Sequence, residues 1–144
     1  MASYLYPPLP ADQVAALSTT ATAELAALDF LHSDALGNAA TAYAVAKQAN
    51  KIHVQRASLT WGQRGARVNS ISPGVIATAM GHQELSGPSG QAMRSMIASS
   101  GTGRIGTATD IADAAAFLLG PTATFITGTD LLVDGGTVAA ISSH

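Results

Sequence analysis

Tyr43 and Lys47 are the residues whose types and spacing most clearly indicate chemistry. They stand four positions apart in an alanine-rich stretch, and residues i and i+4 of a helix lie on the same face. A phenol and an ammonium group can therefore point into one cleft. Tyrosine titrates at about pH 10 in water and is a poor base at neutral pH, but a nearby cation favours its phenolate form. The pair is thus a candidate for proton transfer near neutrality.

A long helix is needed to hold this pair, and the sequence predicts one from Ala39 to Gly62. Alanine is the strongest helix former, Asn38 is a good N-cap residue, and the glycine at the end supplies a stop. The same spacing also arises when an aromatic residue on a buried stripe stands beside a solvated lysine. The pair therefore needs support from other motifs.

Strands alternate with helices in the rest of the chain. The sequence predicts a strand at 67–74, a segment rich in Gly, Ser and Met at 80–103 with one weak helix in it, a helix at 107–119 and a last strand at 130–136. Residues 1–38 are predicted to form loops with short helices. This alternation is typical of βαβ units around a parallel sheet. Segments of this kind are often mobile lids, and we predict that 80–103 is a substrate lid.

Composition limits the class of protein. The 144 residues are 47% hydrophobic and 11% charged, which suits one domain or part of one. The net charge is -2 and the seven Lys and Arg residues are spread out, which argues against a nucleic-acid surface. The sequence has no apolar run of about 18 residues, so we expect no membrane span. The first residues do not resemble a signal peptide.

Cysteine and histidine bear on metal sites and on the compartment. The chain has no cysteine, which excludes disulfides and thiolate metal sites and fits a cytoplasmic protein. The four histidines, His32, His53, His82 and His144, are scattered and have no carboxylate at ligand spacing. We therefore expect no metal site.

Four further motifs, in the same order, give the chain a family resemblance. They are the Ser-Pro-Gly-Val-Ile-Ala-Thr run at 72–78, Gly-Arg-Ile-Gly at 103–106, Asp-Ile-Ala at 110–112 and Leu-Val-Asp-Gly-Gly at 132–136. Together with the Tyr43-x-x-x-Lys47 pattern, they resemble the short-chain dehydrogenase/reductase family over about residues 37–138. One departure is Ala108, where the family commonly has a proline, which removes only a rigid first helical position.

The resemblance implies an NAD(P)-dependent oxidoreductase that transfers hydride between the cofactor and a small hydrophobic alcohol or ketone. Tyr43 would exchange a proton with the substrate oxygen, and Lys47 would favour the phenolate and hydrogen-bond the nicotinamide ribose. Ile76 and Thr78 would bind the carboxamide end of the nicotinamide, with Pro73 and Gly74 shaping the turn. The alternatives are a plain turn at Pro73-Gly74 and a plain helix cap at Thr78. The choice between NAD and NADP cannot be read from these residues.

The dinucleotide-binding start of the family has no counterpart in this sequence. No glycine-rich turn follows a predicted strand and opens a helix. We therefore expect an α/β fold: the C-terminal portion of a Rossmann-like, doubly wound parallel sheet, with the N-terminal nucleotide-binding half missing. Two strands make a poor sheet. We accordingly expect a marginally stable or partner-dependent chain, without a monomeric unfolding transition above about 60 °C.

The catalytic serine of the family has two possible substitutes. In the family this serine closes the strand before the tyrosine helix, and residues 1–38 resemble an insertion between the two. If residues 1–3 occupy the positions that follow the serine, the serine itself would lie immediately before Met1, and Ser3 is the only nearby substitute. Ser33, ten residues before Tyr43, lies in a predicted loop with no strand before it. We take Ser3 as the candidate.

Three functions remain open. The first is the dehydrogenase/reductase described above, which should bind a nicotinamide cofactor. The second is an inactive remnant or interaction module that forms homo-oligomers or pairs with a full-length relative and binds no nicotinamide. The third is an epimerase or dehydratase of the extended relatives, which also use a Tyr-x-x-x-Lys helix. The Pro-Gly turn and the Val-Asp-Gly-Gly ending favour the short form.

Overall fold

The structure is a computed structural model that describes residues 1–143, so His144 lies outside the described residues. Its residues fall into two units. The first, here called the Tyr43 unit, contains residues 2–70 and 127–129. The second, here called the Pro73 unit, contains Met1, residues 71–126 and the chain from residue 130 onward.

The Tyr43 unit is built on α4 (Ala39–Gly62), whose bounds coincide with the predicted helix. Its start is fixed by the side chain of Asn38, whose Oδ1 accepts a hydrogen bond from the Thr41 N–H at 2.9 Å. Two N-terminal helices, α1 (Ala2–Leu5) and α2 (Ala11–Thr19), pack against α4. Their core contains the fully buried side chains of Leu17 and Ala44.

The stretch between α2 and α4 differs in detail from the prediction. One short helix was expected at about 22–31, but the structure has two 3₁₀ helices, Thr22–Ala27 and Asp29–Leu31. The segment at 33–38, predicted as a loop, contains the four-residue helix α3 (Ser33–Leu36), closed by Gly37 at a positive φ of 71°. Single turns of this length carry little periodicity, so sequence patterns do not resolve them.

Two short strands, β1 (Ser70–Pro73) and β2 (Asp130–Val133), form the only sheet among residues 1–143. The pairing is parallel, because the Ser70 N–H donates to the Thr129 carbonyl and the Gly74 N–H donates to the Val133 carbonyl, with the same offset. The α/β class with a parallel sheet is therefore confirmed at this small scale. Side chains join the strands as well, since Ser72 Oγ donates to Asp130 Oδ2 at 2.8 Å.

Strand β1 is shorter than the predicted strand at 67–74. Just before it, side-chain oxygens accept backbone N–H groups in place of ladder carbonyls. Val68 N–H donates to Thr127 Oγ1 at 3.1 Å, and Thr129 N–H donates to Asn69 Oδ1 at 3.2 Å. The ladder therefore begins only at residue 70.

Strand β2 is also shorter than the predicted 130–136, because Asp134 ends it. One carboxylate oxygen of Asp134 accepts the Gly136 N–H at 2.9 Å and the other accepts the Val138 N–H at 2.7 Å. Gly135 and Gly136 have positive φ values of 64° and 84°, which suit glycine in a turn. A helix that was not predicted, α8 (Thr137–Ser142), follows.

The chain between the strands is more helical than predicted. Two helices, α5 (Ala79–Ser86) and α6 (Gly90–Ser99), occupy the 80–103 segment, where only one weak helix was expected. Helix α7 (Ala108–Leu119) starts with Thr107 as N-cap in a capping box with Asp110. Along one face of this helix Leu118 is buried, and Ile111, Ala114 and Ala115 are half-buried. No helix within residues 1–143 combines the length and apolarity needed to cross a membrane.

Candidate active site

Tyr43 and Lys47 form a direct pair on α4. The Lys47 ammonium lies 5.3 Å from the centroid of the Tyr43 ring, which is within cation–π range. Tyr43 is 57% exposed, so a substrate oxygen could reach its phenol. The i to i+4 spacing on a continuous helix produces this geometry, as the sequence predicts.

The two candidate serines are placed very differently. Ser3 is buried on α1, which packs against α4, the helix that carries Tyr43 and Lys47. Ser33 begins α3, is exposed, and its hydroxyl donates weakly to the neighbouring carboxylate of Asp34 at 3.4 Å. Helix α3 contacts α4 as well, so what distinguishes the two serines is burial: Ser3 is buried and Ser33 is exposed.

The turn at 73–78 is held by backbone hydrogen bonds within the Pro73 unit. Gly106 donates its N–H to the Val75 carbonyl at 2.9 Å and accepts the Ala77 N–H at 2.8 Å, which forms an isolated parallel bridge opposite Ile76. The Met1 amino group donates to the Pro73 carbonyl at 3.0 Å. The turn is therefore fixed at its start and near its end.

Gly74 shows why this turn needs a glycine. A Cβ at position 74 would lie 2.7 Å from Asp134 Cα and 2.9 Å from Asp134 Cβ. Real Cβ atoms do not approach backbone so closely, so the turn can follow β1 in this way only without a side chain.

Two hydrogen-bond donors in the turn could face a carboxamide. The Ile76 N–H has no acceptor among residues 1–143, while its carbonyl accepts the Thr78 N–H at 2.8 Å. The Thr78 hydroxyl oxygen accepts the Gly81 N–H at 3.1 Å as N-cap of α5, which leaves its O–H proton to donate. Thr78 therefore caps α5, and its hydroxyl proton remains available to donate a hydrogen bond to a ligand. These groups fit the nicotinamide end of the cofactor.

An ion pair beside the turn was not predicted as part of the site. Arg104 grips the Asp110 carboxylate with both guanidinium nitrogens, at 2.8 and 2.9 Å. This contact, together with hydrogen bonds from the backbone and hydroxyl of Thr107, holds the pKa of Asp110 well below its usual range. Arg104 and Asp110 line a cavity of about 210 Å³ with the turn residues. In the sequence, Arg104 and Asp110 stand out only as members of the Gly-Arg-Ile-Gly and Asp-Ile-Ala motifs.

Within residues 1–143, no group of three or more His, Asp or Glu side chains is arranged to hold an ion. Tyr43, Lys47 and Ser3 lie in the Tyr43 unit, and the 73–78 turn lies in the Pro73 unit.

Comparison with known proteins identifies the family. The profile of the family described as enoyl-(acyl carrier protein) reductase matches residues 11–138. The short-chain dehydrogenase/reductase bsc3 of Alternaria brassicicola is 45% identical over 102 residues, which cover 71% of this chain and 37% of that protein. This chain belongs to the short-chain dehydrogenase/reductase family. The profile match begins at Ala11 and so extends further toward the N-terminus than the predicted range.

Solved structures of this family agree with the fold. A 4-hydroxyisoleucine dehydrogenase mutant complexed with NADH and succinate is 35% identical, with a TM-score of 0.60 over 68% of this chain and 40% of that one. A structure from Agrobacterium tumefaciens with bound NADP is 32% identical, with a TM-score of 0.61 over 69% and 39%. Relatives of the chain therefore bind either nicotinamide cofactor. The chain spans about two fifths of the length of these relatives.

Proposed function

We propose that this chain carries the proton-transfer and nicotinamide-binding elements of an NAD(P)-dependent dehydrogenase/reductase. The observation that supports this most directly is the Lys47 ammonium over the Tyr43 ring, with the phenol open to solvent. The compartment we propose is the cytoplasm, which the absence of cysteine fits.

Tyr43 is the general base for alcohol oxidation and the general acid for ketone reduction. In oxidation, the substrate hydroxyl gives its proton to Tyr43 while its carbinol carbon loses a hydride. A bound nicotinamide would supply the hydride acceptor for oxidation and the hydride donor for reduction. Lys47 stabilises the charge on the phenolate and binds the ribose, and the hydroxyl of Ser3 orients the substrate oxygen.

The turn at 73–78 binds the carboxamide end of the cofactor. The Ile76 N–H and the Thr78 hydroxyl would donate hydrogen bonds to the carboxamide, and Pro73 and Gly74 shape the backbone that presents them. Either NAD or NADP suits these groups, because none of them reads the adenosine ribose.

The proposed substrate is a small hydrophobic alcohol or ketone. Helices α5 and α6 form the segment that we propose as the substrate lid, and it carries three methionines, Met80, Met93 and Met96. Met80 is largely exposed, so its side chain is accessible to an apolar ligand.

Replacing the two exposed tyrosines in turn tests this proposal. Tyr43→Phe keeps the ring over Lys47 but removes the proton-transfer group, so turnover of secondary alcohols with NAD⁺ or NADP⁺ should fall about 10²- to 10⁴-fold. Tyr6→Phe is the matched control and should leave turnover unchanged. Equal rates for Tyr43→Phe and the unmodified chain would reject the role of Tyr43.

A second candidate function is an interaction module that forms homo-oligomers or pairs with a full-length relative. It is favoured by large apolar side chains left exposed in the Pro73 unit, namely Phe117, Leu119 and Phe125. Equilibrium titration with NADH and NADPH separates the two functions. Binding supports the dehydrogenase, whereas self-association without nicotinamide binding supports the module.

A further inference from the structure

Gln48, the residue after Lys47, makes two hydrogen bonds to the N-terminal segment. Its Nε2 donates to the Pro7 carbonyl at 2.9 Å, and its Oε1 accepts the Leu9 N–H at 3.0 Å. The side chain is buried, although it stands on an otherwise alanine-rich helix. A buried amide with both ends paired to the same short stretch of backbone acts as a clamp on that stretch.

A second contact anchors the same segment one turn further along α4. The Lys51 ammonium lies 3.6 Å from the centroid of the Tyr4 ring. Residues 4 and 7–9 are thus tied to positions 51 and 48 of α4, and these positions share a face because they are three residues apart. Ser3 directly precedes Tyr4 in the sequence and is itself buried on α1.

We propose that Gln48 is a positioning residue that fixes Ser3 with respect to Tyr43 and Lys47. This inference rests on the proposed function. Ser3 precedes Tyr43 by 40 positions, and no regular strand joins the two within residues 3–43. The clamp provides a link instead, because it ties the segment after Ser3 to the same helix that carries Tyr43 and Lys47.

The chemistry of the clamp requires a group that donates and accepts at once. Met has a similar length but can do neither. An ionised Glu accepts from Leu9 but repels the Pro7 carbonyl, whereas a protonated Glu can donate to Pro7 and accept from Leu9. Gln48→Glu should therefore regain the clamp as the pH falls, and Gln48→Met should lack it at every pH.

The test measures these two variants in the full chain, with Gln55→Met as the control on an exposed position of the same helix. Amide exchange of Leu9 reports the clamp, the amide chemical shift of Ser3 reports its position, and turnover reports the consequence. For Gln48→Met we expect loss of Leu9 protection, a shifted Ser3 resonance and kcat lower by about 10²-fold with KM unchanged. Gln55→Met should match the unmodified chain.

Rescue by acid separates positioning from a general loss of fold. In Gln48→Glu, Leu9 protection, the Ser3 shift and the ratio of its kcat to that of the unmodified chain should recover together as the pH falls. An unchanged Ser3 resonance in Gln48→Met, or no recovery in Gln48→Glu, would overturn the positioning role. If the unmodified chain turns over no substrate, the proposed function fails, and a Ser3 shift that follows the clamp still establishes the link between Gln48 and Ser3.

Discussion

Gly74 and Asp134 approach so closely that a Cβ on residue 74 would lie 2.7 Å from Asp134 Cα. The two residues follow β1 and β2 respectively, and the Gly74 N–H also donates to the Val133 carbonyl at 2.9 Å. The end of the sheet and the start of the proposed nicotinamide turn therefore depend on the same close contact.

Gly74→Ala should lower the free energy of unfolding by about 1–3 kcal/mol, because the added methyl group meets backbone that cannot rotate away. Urea unfolding followed by circular dichroism measures this change. Gly62→Ala is the control: no atom lies within 4 Å of its added Cβ, and it ends a helix. That variant should be neutral or more stable by up to about 1 kcal/mol. Equal stability of the two variants would contradict the close contact.

Thr78 should show a separable effect on stability and on cofactor binding. Thr78→Ala removes the cap of α5 and should cost about 1 kcal/mol of unfolding free energy. Thr78→Asp keeps the cap through its carboxylate but has no proton to donate, so we expect normal stability with weaker NADH binding, and Thr78→Ser should keep both. Denaturant unfolding and NADH fluorescence titration measure the two properties. Normal NADH binding by Thr78→Asp would limit Thr78 to the capping role.

The sequence was sufficient where local signals act alone. Helix α4 begins at its Asn38 cap and continues through alanine, so both ends followed from neighbouring residues. The Thr107 capping box of α7 is likewise formed by residues three positions apart. Each of these features depends on residues within one turn of each other, which is the range that sequence patterns describe well.

Features that depend on distant residues were not predictable. The predicted strand at 67–74 is longer than β1 because the Val68 N–H donates to the side chain of Thr127, 59 positions away. The Gln48 side chain forms hydrogen bonds with Leu9 and Pro7, which lie 39 and 41 positions before it in the sequence. Gln48 belongs to no sequence motif. Among the site residues, the spacing of Tyr43 and Lys47 is local and was read directly from the sequence. The packing of α1, which carries Ser3, against α4 joins residues far apart in the sequence and was not predictable.

Asp110 should make stability depend on pH. Its pKa is lower in the folded chain than in the unfolded chain, chiefly because of Arg104, so its stabilising contribution is complete above the unfolded value of about 4. The contribution is lost as the pH falls through the folded-state value. The unmodified chain should therefore exceed Asp110→Asn in unfolding free energy at neutral pH, and the difference should vanish in strong acid. Urea unfolding at a series of pH values measures this.

Asp113→Asn is the matched control for that series, since Asp113 is exposed on the same helix. Its difference from the unmodified chain should stay small at every pH. A gap between the unmodified chain and Asp110→Asn that stays constant from neutral pH to strong acid would show that the ion pair with Arg104 does not form in solution.

The exposed apolar side chains of the Pro73 unit should govern association rather than folding. Leu119 is 84% exposed and Phe125 is fully exposed, whereas the adjacent Leu118 is buried. Leu119→Ser and Phe125→Ser should reduce self-association in sedimentation velocity and change the unfolding free energy by less than about 0.5 kcal/mol. Leu118→Ser removes a core side chain and should cost about 3 kcal/mol or more. If the two exposed variants associate as strongly as the unmodified chain, the surface that binds a partner lies elsewhere. If the unmodified chain is a stable monomer, it requires no partner.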